Sequence, residues 1–211
     1  MFYYVKTPWW MKKLYNGAVW QIPGREKVIY LSFDDGPHPS ITPFVLDELK
    51  KYKARATFFC LGRNLLENPG VYKRILEEGH AVGNHSFSHL NGWKTKASIW
   101  LNDVAEAGKY IDTGLFRPPY GKITRLNLKV LAGKRFKLTT VMWTVLSGDF
   151  DTGISPENCY ANVIKNATSG DIIVFHDSEK ALVRMKYALP GVLKYFIEKG
   201  YRFEKIVLNS G

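Results

Sequence analysis

The chain contains little cysteine: two residues, Cys60 and Cys159, among 211. Two cysteines that lie so far apart do not form the framework of a small disulfide-stabilised domain. Cys60 is surrounded by apolar residues, so we expect a buried thiol there. The fold must therefore depend on a hydrophobic core, and 45% apolar residues in a chain of this length suffice for one domain.

The sequence also lacks any long apolar run. A membrane-spanning helix needs about 20 consecutive apolar residues, and no stretch approaches that length. Near the N-terminus, no apolar run of the kind found in secretory signals follows Lys12 and Lys13. We therefore expect neither a transmembrane segment nor a signal peptide, and the sequence by itself predicts a cytoplasmic protein.

Residues 1–27 combine aromatic and basic side chains. We interpret them as an N-terminal arm that packs its aromatic rings on a domain formed by residues 28–211. The alternative is a weak contact of this segment with a membrane surface, where such a mixture of side chains is also found.

Acidic residues are few compared with basic ones: 19 Asp and Glu against 30 Lys and Arg, a net charge of +11. Such a field favours anionic partners, which include nucleic acid, anionic lipid and acidic cell-wall polymers. The basic residues are scattered, however, without the interleaved basic and aromatic residues that are typical of nucleic-acid modules. We expect a solvated basic surface, no nucleic-acid partner and a monomeric protein.

Short apolar runs alternate with amphipathic segments from Val28 onward. This alternation predicts an α/β fold in which parallel strands are covered by helices. About seven strands favour a barrel or near-barrel over an open sheet. The predicted strands are residues 28–34, 56–61, 81–83, 115–117, 138–145, 172–175 and 201–207, and the predicted helices are residues 42–52, 69–78, 95–110, 124–133, 155–167 and 184–199.

Side chains suited to catalysis follow five of the predicted strands. In a barrel of βα units the carboxyl ends of all strands share one face, and active sites of such barrels lie on that face. We therefore expect these side chains to meet in one site. They are Asp34, His85, Arg117, Asp149 and His176.

Two of these motifs predict a metal site. Asp34 and Asp35 precede a Gly-Pro turn that lets both carboxylates reach one cleft, one as a metal ligand and the other as a base; a turn with local hydrogen bonds is the alternative. His85 and His89 have the spacing that places two imidazoles on one face of a helical turn, and a polar loop with incidental histidines is the alternative. One carboxylate and two imidazoles suit a divalent ion such as Zn²⁺, Co²⁺, Mn²⁺, Ni²⁺ or Fe²⁺.

Three further motifs supply candidate catalytic groups. His176 leaves an apolar strand; beside a metal it is a candidate acid for a departing amine, and the alternative is a core histidine. The prolines after Arg117 make a rigid loop that can aim the Arg117 guanidinium at a carboxylate and the Tyr120 backbone N–H at an oxyanion; a proline-rich connector without a catalytic role is the alternative. After the next predicted strand, Asp149 is a candidate partner of Arg117 or a group that orients His176. The rings of Trp143 and Phe150 are candidates for a pocket, with a place in the core as the alternative.

In this order, four motifs resemble the polysaccharide deacetylase family, also called the NodB-type domain or carbohydrate esterase family four. They are Ser-Phe-Asp-Asp-Gly-Pro at 32–37, His-Ser-x-x-His at 85–89, Arg-Pro-Pro-Tyr at 117–120 and a hydrophobic-x-His pattern at 174–176. The resemblance covers about residues 28–207. It implies a distorted (β/α) barrel of this family's type and metal-dependent removal of N-acetyl groups from amino sugars, in oligosaccharides or cell-wall glycan. Because the family is usually exported, it also allows an extracytoplasmic location.

The resemblance implies a role for each site residue by its place in the motifs. Asp35, His85 and His89 match the metal ligands, with Zn²⁺ the expected ion. Asp34 matches the catalytic base, and Arg117 matches the arginine that holds it. The Tyr120 backbone N–H matches an oxyanion donor, His176 the catalytic acid, and Asp149 the aspartate that tunes this acid. Val174 matches a wall of the acetyl pocket, beside which we expect Pro118, Trp143 and Phe150.

One motif departs from the family pattern. Where the family has Asp-x-x-Asp-Trp, this chain has Leu146 and Phe150 in place of the first aspartate and the tryptophan. Ser32 also stands where threonine is common. None of these changes removes a metal ligand or a proton carrier, so we expect them to alter the pocket and therefore the choice of substrate.

Other functions fit parts of the pattern. The same fold can hydrolyse another bond, such as an O-acetyl ester on xylan or another glycan, or a cyclic amide. A catalytically silent glycan-binding module and a basic anion-binding protein with an incidental metal site are further alternatives. The complete set of ligands and proton carriers favours the N-deacetylase over the silent module, and tight nucleic-acid binding without hydrolysis would favour the anion-binding protein.

Overall fold

The computed structural model describes residues 3–24 and 26–208, and these form eight strands and eight α-helices. The strands are β1 (Val28–Asp34), β2 (Ala56–Cys60), β3 (Ala81–Asn84), β4 (Leu115–Phe116), β5 (Thr139–Thr140), β6 (Val145–Leu146), β7 (Ile172–His176) and β8 (Arg202–Phe203). The helices are α1 (Trp9–Leu14), α2 (Ile41–Lys51), α3 (Gly62–Glu67), α4 (Pro69–Glu77), α5 (Ala97–Ala107), α6 (Arg125–Ala132), α7 (Pro156–Asn166) and α8 (Leu182–Glu198), and a 3₁₀ turn covers Pro119–Gly121. Within the described residues, no helix has the length and apolar character needed to cross a membrane.

Seven strands form one curled sheet in the order β5-β4-β3-β2-β1-β7-β6, and all neighbours in it are parallel. Strand β8 adds a short parallel pairing at the start of β1. Within the described chain the sheet stays open between its edge strands β5 and β6. The predicted α/β class, a distorted (β/α) barrel of about seven parallel strands, is therefore confirmed in the form of a half-barrel.

The central strand β1 separates an apolar core from a buried polar face. The Phe33 ring stacks with those of Phe58 at 5.1 Å and Phe175 at 6.1 Å, within the main hydrophobic core. Successive side chains of a strand point to opposite faces, so Ser32 and Asp34 lie on the other face. Both accept hydrogen bonds from Arg117 there. The polar groups at the end of β1 are therefore held inside the half-barrel.

The N-terminal arm lies against both edge strands at the opening of the half-barrel. The Leu146 N–H donates to the Val5 carbonyl at 2.8 Å, and the Met142 N–H donates to the Val19 carbonyl at 2.7 Å. Trp20 is only 6% exposed. The arm thus provides acceptors for backbone groups at sheet edges, which would otherwise need water or another strand.

Replacement of Trp20 with alanine tests how far the arm contributes to the folded domain. Truncation of a buried aromatic residue typically costs about 3–5 kcal/mol, so we expect the free energy of unfolding to fall by about 3 kcal/mol. Trp9→Ala is the matched control, because Trp9 is 74% exposed and such surface changes usually stay within about 0.5 kcal/mol. Chemical denaturation measures both, and equal effects of the two variants would show that the arm does not stabilise the fold.

The structure differs from the predicted elements at several places. It contains two helices beyond those predicted, α1 and α3; each has six residues, too few to show the periodicity by which a helix is recognised. The predicted strand 138–145 is two short strands, because the carbonyls of Val141 and Met142 between them accept hydrogen bonds from Arg117. The predicted strand 201–207 is reduced to β8.

Candidate active site

Asp35, His85 and His89 form a compact group of potential metal ligands. One ligand atom of each residue lies within 4.8 Å of the other two. The Asp35 Oδ1 atom is 3.7 Å from His85 Nε2 and 3.2 Å from His89 Nε2. The aspartate follows β1 and the histidines follow β3. Because β1, β2 and β3 are parallel neighbours, these chain segments lie together at the carboxyl ends of the strands. The structure thus brings the three predicted ligands together.

The segment 85–89 is not the helical turn that its spacing predicts. Ser86 and His89 have positive φ angles of 68° and 61°, so the backbone forms a tight loop. The Ser86 N–H donates to Asn84 Oδ1 at 2.7 Å, and the His89 N–H donates to Ser86 Oγ at 3.1 Å. These local hydrogen bonds replace helical ones and hold the rings of His85 and His89 with centroids 5.1 Å apart.

A carboxylate on α5 also fixes this loop. Asp103 accepts hydrogen bonds from the backbone N–H groups of Phe87 at 3.2 Å and Ser88 at 3.1 Å. Sequence reasoning missed Asp103, because a residue 15 positions away on a helix carries no local signal of this role.

His85 is held in the tautomer that leaves its Nε2 available to a metal ion. Its Nδ1 lies 2.8 Å from the backbone carbonyl of Arg117, and since a carbonyl only accepts, Nδ1 carries the proton. The Nε2 lone pair is therefore left for a cation. Burial lowers the pKa of His85 to about 4, so the ring is neutral at physiological pH, which is the metal-binding form.

Asp35 supplies a buried carboxylate oxygen that a cation would neutralise. Its φ of 83° is unusual for a residue with a side chain, and its Oδ1 is buried with no hydrogen-bond donor among the described residues. Burial by itself would raise the pKa of Asp35, but the contact with His89 and the charges of His176 and His85 outweigh it and lower the pKa. An ionised carboxylate that faces two imidazole nitrogens fits a divalent metal ion.

Asp34 pairs with a buried arginine. Arg117 is fully buried, and its Nη1 donates to Asp34 Oδ1 and Ser32 Oγ, both at 2.7 Å. Its remaining groups donate to two backbone carbonyls, and its guanidinium lies 4.0 Å from the Phe59 ring centroid. The arginine therefore orients one oxygen of Asp34 and leaves the second without a partner among the described residues.

His176 and Asp149 form a second linked pair. His176 Nδ1 lies 2.8 Å from Asp149 Oδ1, and the His176 backbone N–H donates to Asp149 Oδ2 at 2.6 Å. Burial by itself would lower the pKa of His176, but the charge and hydrogen bond of Asp149, with the charges of Asp35 and Asp34, raise it to about 10. Asp34 and His176 are register partners on β1 and β7, so a carboxylate and a protonated imidazole stand side by side.

Asp149→Asn tests this pairing through the pH dependence of the protein's activity. His176 is protonated below its raised pKa and loses its proton as the pH rises through about 10, so activity that needs this proton falls there. Without the charge of Asp149, burial lowers the pKa of His176, and we expect the alkaline limb to move toward the ordinary histidine value of about 6.5 or below it. A pH–rate profile measures the shift, and an unchanged alkaline limb would show that Asp149 does not control the titration of His176.

The loop after β4 presents an unpaired backbone donor. Tyr120 and Gly121 have φ angles of 59° and 65°, and the Tyr120 N–H has no acceptor among the described residues. The exposed Tyr120 ring contacts the His89 ring at a centroid distance of 4.5 Å. A Cβ atom at Gly121 would lie 2.5 Å from the Trp143 ring. The loop therefore places an unpaired N–H near the candidate metal ligands, an arrangement suited to binding an oxyanion.

The four predicted pocket residues lie around these groups. The Phe150 ring contacts that of His176 at a centroid distance of 5.3 Å. Val174 is fully buried and lies two residues before His176 on β7, so the two side chains share a face. Trp143 packs against the loop with the free N–H, and Pro118 is buried at the start of that loop.

Asp177 is a buried carboxylate in this region to which the sequence reasoning gave no role. It accepts hydrogen bonds from the Gly36 N–H at 3.0 Å and from the Thr42 hydroxyl, and its own N–H donates to the Asp34 carbonyl at 3.1 Å. Burial raises the pKa of Asp177 to about 7. Asp177 therefore connects the turn after β1 to the end of β7. Its position directly after His176 was the one sequence feature that could have indicated a role in the site.

Fold and site together define a (β/α)-barrel hydrolase with a candidate metal centre at the carboxyl ends of its strands. The family model for polysaccharide deacetylases matches residues 21–139, more than half of the chain. The chain belongs to the polysaccharide deacetylase family, and the family indicated by the sequence motifs is confirmed.

Similar proteins are named as deacetylases of two glycans. The peptidoglycan-N-acetylglucosamine deacetylase of Bacillus cereus is 37% identical over 192 residues, which cover 88% of this chain and 89% of that protein. The chitooligosaccharide deacetylase of Azorhizobium caulinodans is 34% identical over 168 residues, 76% of this chain and 79% of that protein. A crystal structure of a peptidoglycan N-acetylglucosamine deacetylase, in complex with 4-naphthalen-1-yl-N-oxidanyl-benzamide, matches with a TM-score of 0.84 at 31% identity and covers 95% of both chains.

Proposed function

We propose that this protein is a metal-dependent N-deacetylase that removes acetyl groups from amino sugars in oligosaccharides or cell-wall glycan. One observation carries the proposal. A group of three candidate metal ligands lies at the same end of the sheet as two ion pairs. The ligands are Asp35, His85 and His89, and the ion pairs are Asp34–Arg117 and His176–Asp149. The names of the similar proteins support an N-acetylated glycan as the substrate.

The ligand group suits a divalent ion, with Zn²⁺ expected and Co²⁺, Mn²⁺ or Ni²⁺ as alternatives. When bound, such an ion supplies Lewis-acid polarisation of an acetyl carbonyl and lowers the pKa of water. His85 contributes its neutral Nε2, because its Nδ1 proton is bound to the Arg117 carbonyl.

Asp34 acts as the general base. Arg117 holds its Oδ1, and its other oxygen accepts a proton as the water oxygen forms a bond to the acetyl carbon. The carbonyl oxygen then carries negative charge, and the Tyr120 N–H donates a hydrogen bond to it. General acid or base assistance of this kind is worth about 10²–10⁴-fold in rate.

His176 acts as the general acid. Asp149 holds its Nδ1 and favours the protonated ring, so Nε2 can donate its proton to the amide nitrogen. The carbon–nitrogen bond breaks as that proton is transferred. The products are acetate and the free amine of the sugar.

Acetate release tests this function directly. The protein is assayed with chitooligosaccharides, peptidoglycan fragments and O-acetylated xylan, after chelation and after addition of Zn²⁺, Co²⁺, Mn²⁺ or Ni²⁺. We expect release from N-acetyl substrates that stops with chelator and returns with metal. Release from xylan alone would identify an O-acetyl esterase, and glycan binding without release would identify a silent binding module.

Further properties remain proposals from the sequence. We propose a monomer without a nucleic-acid partner, and light scattering tests the oligomeric state. Helix α1 has no buried residue, and Trp9 and Trp10 in it are exposed, which supports a weak membrane-surface contact of residues 1–27. Co-sedimentation with anionic vesicles tests this contact, and cell fractionation tests the predicted cytoplasmic location.

A further inference from the structure

Trp93 and Lys122 form an aromatic and cationic pair outside the catalytic groups. Trp93 is 57% exposed, yet its indole N–H donates to the Ile123 carbonyl at 3.0 Å and its backbone N–H donates to Asn91 Oδ1 at 3.0 Å. The Lys122 Nζ atom lies 4.1 Å from the indole centroid, within the range of a cation–π contact. The indole ring is therefore both fixed in orientation and open to solvent, as a platform for a ligand requires.

The pair lies beside the candidate metal centre. Trp93 is four residues after His89, and Lys122 is two residues after Tyr120, whose ring contacts that of His89. Successive Cα atoms are about 3.8 Å apart, so the Cα atoms of Lys122 and Tyr120 are at most about 7.6 Å apart. The two loops also touch, since a Cβ atom at Gly92 would lie 2.3 Å from the Lys122 carbonyl. A sugar next to the reacting one is thus within reach of the pair.

The charge at this rim favours an anionic ligand. Among the ion pairs of the described residues, none involves Lys122. Lys94, Lys96 and Arg125 are exposed neighbours in the same two chain segments, and no acidic residue lies within 91–96 or 120–126. An ammonium without a carboxylate partner, next to an open indole face, can pair with an anionic substituent of a sugar that stacks on that face.

We propose that Trp93 and Lys122 form a subsite for a sugar that carries a carboxylate, adjacent to the reacting N-acetyl amino sugar. The inference rests on the proposed deacetylase function and narrows its substrate. It favours a glycan in which N-acetyl amino sugars alternate with sugars that carry a free carboxylate, as in peptidoglycan strands without their stem peptides, over a neutral chitooligosaccharide.

Three substrates of equal length test the subsite with the metal-loaded protein. They are an alternating tetrasaccharide of N-acetylglucosamine and N-acetylmuramic acid, the same compound with its carboxylates converted to methyl esters, and the neutral chitotetraose. A partly exposed ion pair is worth up to about 1 kcal/mol, or about fivefold. We therefore expect Lys122→Gln to lower kcat/KM about fivefold for the free carboxylate, mainly through KM, and to leave the other two substrates unchanged. Trp93→Ala should lower kcat/KM for all three.

Lys134→Gln is the matched control, because it removes the same charge from an exposed loop residue and should leave the preference for the carboxylate intact. Thermal unfolding checks that all variants fold. Equal effects of Lys122→Gln on all three substrates, or no effect on any, would overturn the subsite while acetate release by the wild type upholds the deacetylase. If the wild type releases acetate from none of the three, the proposed function fails and the subsite fails with it.

Discussion

Asp34→Asn is expected to lower kcat for deacetylation by about 10²–10⁴-fold, because an amide cannot take a proton from the attacking water. The substitution keeps the size of the side chain. Arg117 keeps its hydrogen bonds to Ser32 Oγ and to the carbonyls of Val141 and Met142, so the buried guanidinium stays solvated by the protein. Acetate release measures the activity of the variant, circular dichroism its folding, and the metal content of the purified protein its metal binding.

Two further variants sharpen this prediction. Asp112→Asn removes a carboxylate from an exposed position and should retain the wild-type rate. His176→Ala removes the proposed acid and should lose activity over the same range as Asp34→Asn, while metal remains bound. A folded, metal-loaded Asp34→Asn protein that works at the wild-type rate would exclude Asp34 as the base.

His85→Ala is expected to remove metal and activity together. His85 is one of three ligands, and loss even of a residue that only orients a ligand costs about 10–100-fold in metal affinity. Removal of a ligand should therefore weaken binding by at least about 100-fold. Competition with a chromogenic chelator measures the affinity, and acetate release at saturating metal measures the remaining activity.

His80→Ala is the matched control for the loss of a buried imidazole. His80 is 5% exposed, its Nδ1 accepts a hydrogen bond from the Ala56 N–H, and its ring contacts Phe58. This variant should lose stability but keep its metal. If His85→Ala bound metal as tightly as the wild type, or if both variants lost it equally, the assignment of His85 as a ligand would be wrong.

The fold was predictable where the sequence pattern is long and regular. The apolar runs that became β1, β2 and β7 are buried on both faces, and such strands read as continuous apolar segments. The short helices α1 and α3 carry no such pattern. The pairing of the arm with both sheet edges was also out of reach, because backbone hydrogen bonds to Val5 and Val19 leave no trace in the side chains.

The candidate site followed from the chemistry of its residues, but its geometry did not. The spacing of His85 and His89 indicates two ligands for one ion, whereas the tight loop that presents them depends on Ser86 and on Asp103 of a distant helix. The same holds for Asp177, whose bond to the Gly36 N–H joins two strand ends. Such contacts link residues far apart in the chain, and no local pattern encodes them.

The sequence by itself determined the βα order, the family and the residue types at the strand ends. It also indicated that these residues converge, because parallel strands place their carboxyl ends on one face regardless of packing detail. Tertiary structure decided which groups work as pairs. The buried contacts of Arg117 with Asp34 and of Asp149 with His176 orient these side chains. The charge and hydrogen bond of Asp149 also raise the pKa of His176, against the effect of burial. Both effects depend on distances of a few ångströms in a water-poor interior, and those distances arise only when the whole half-barrel has packed.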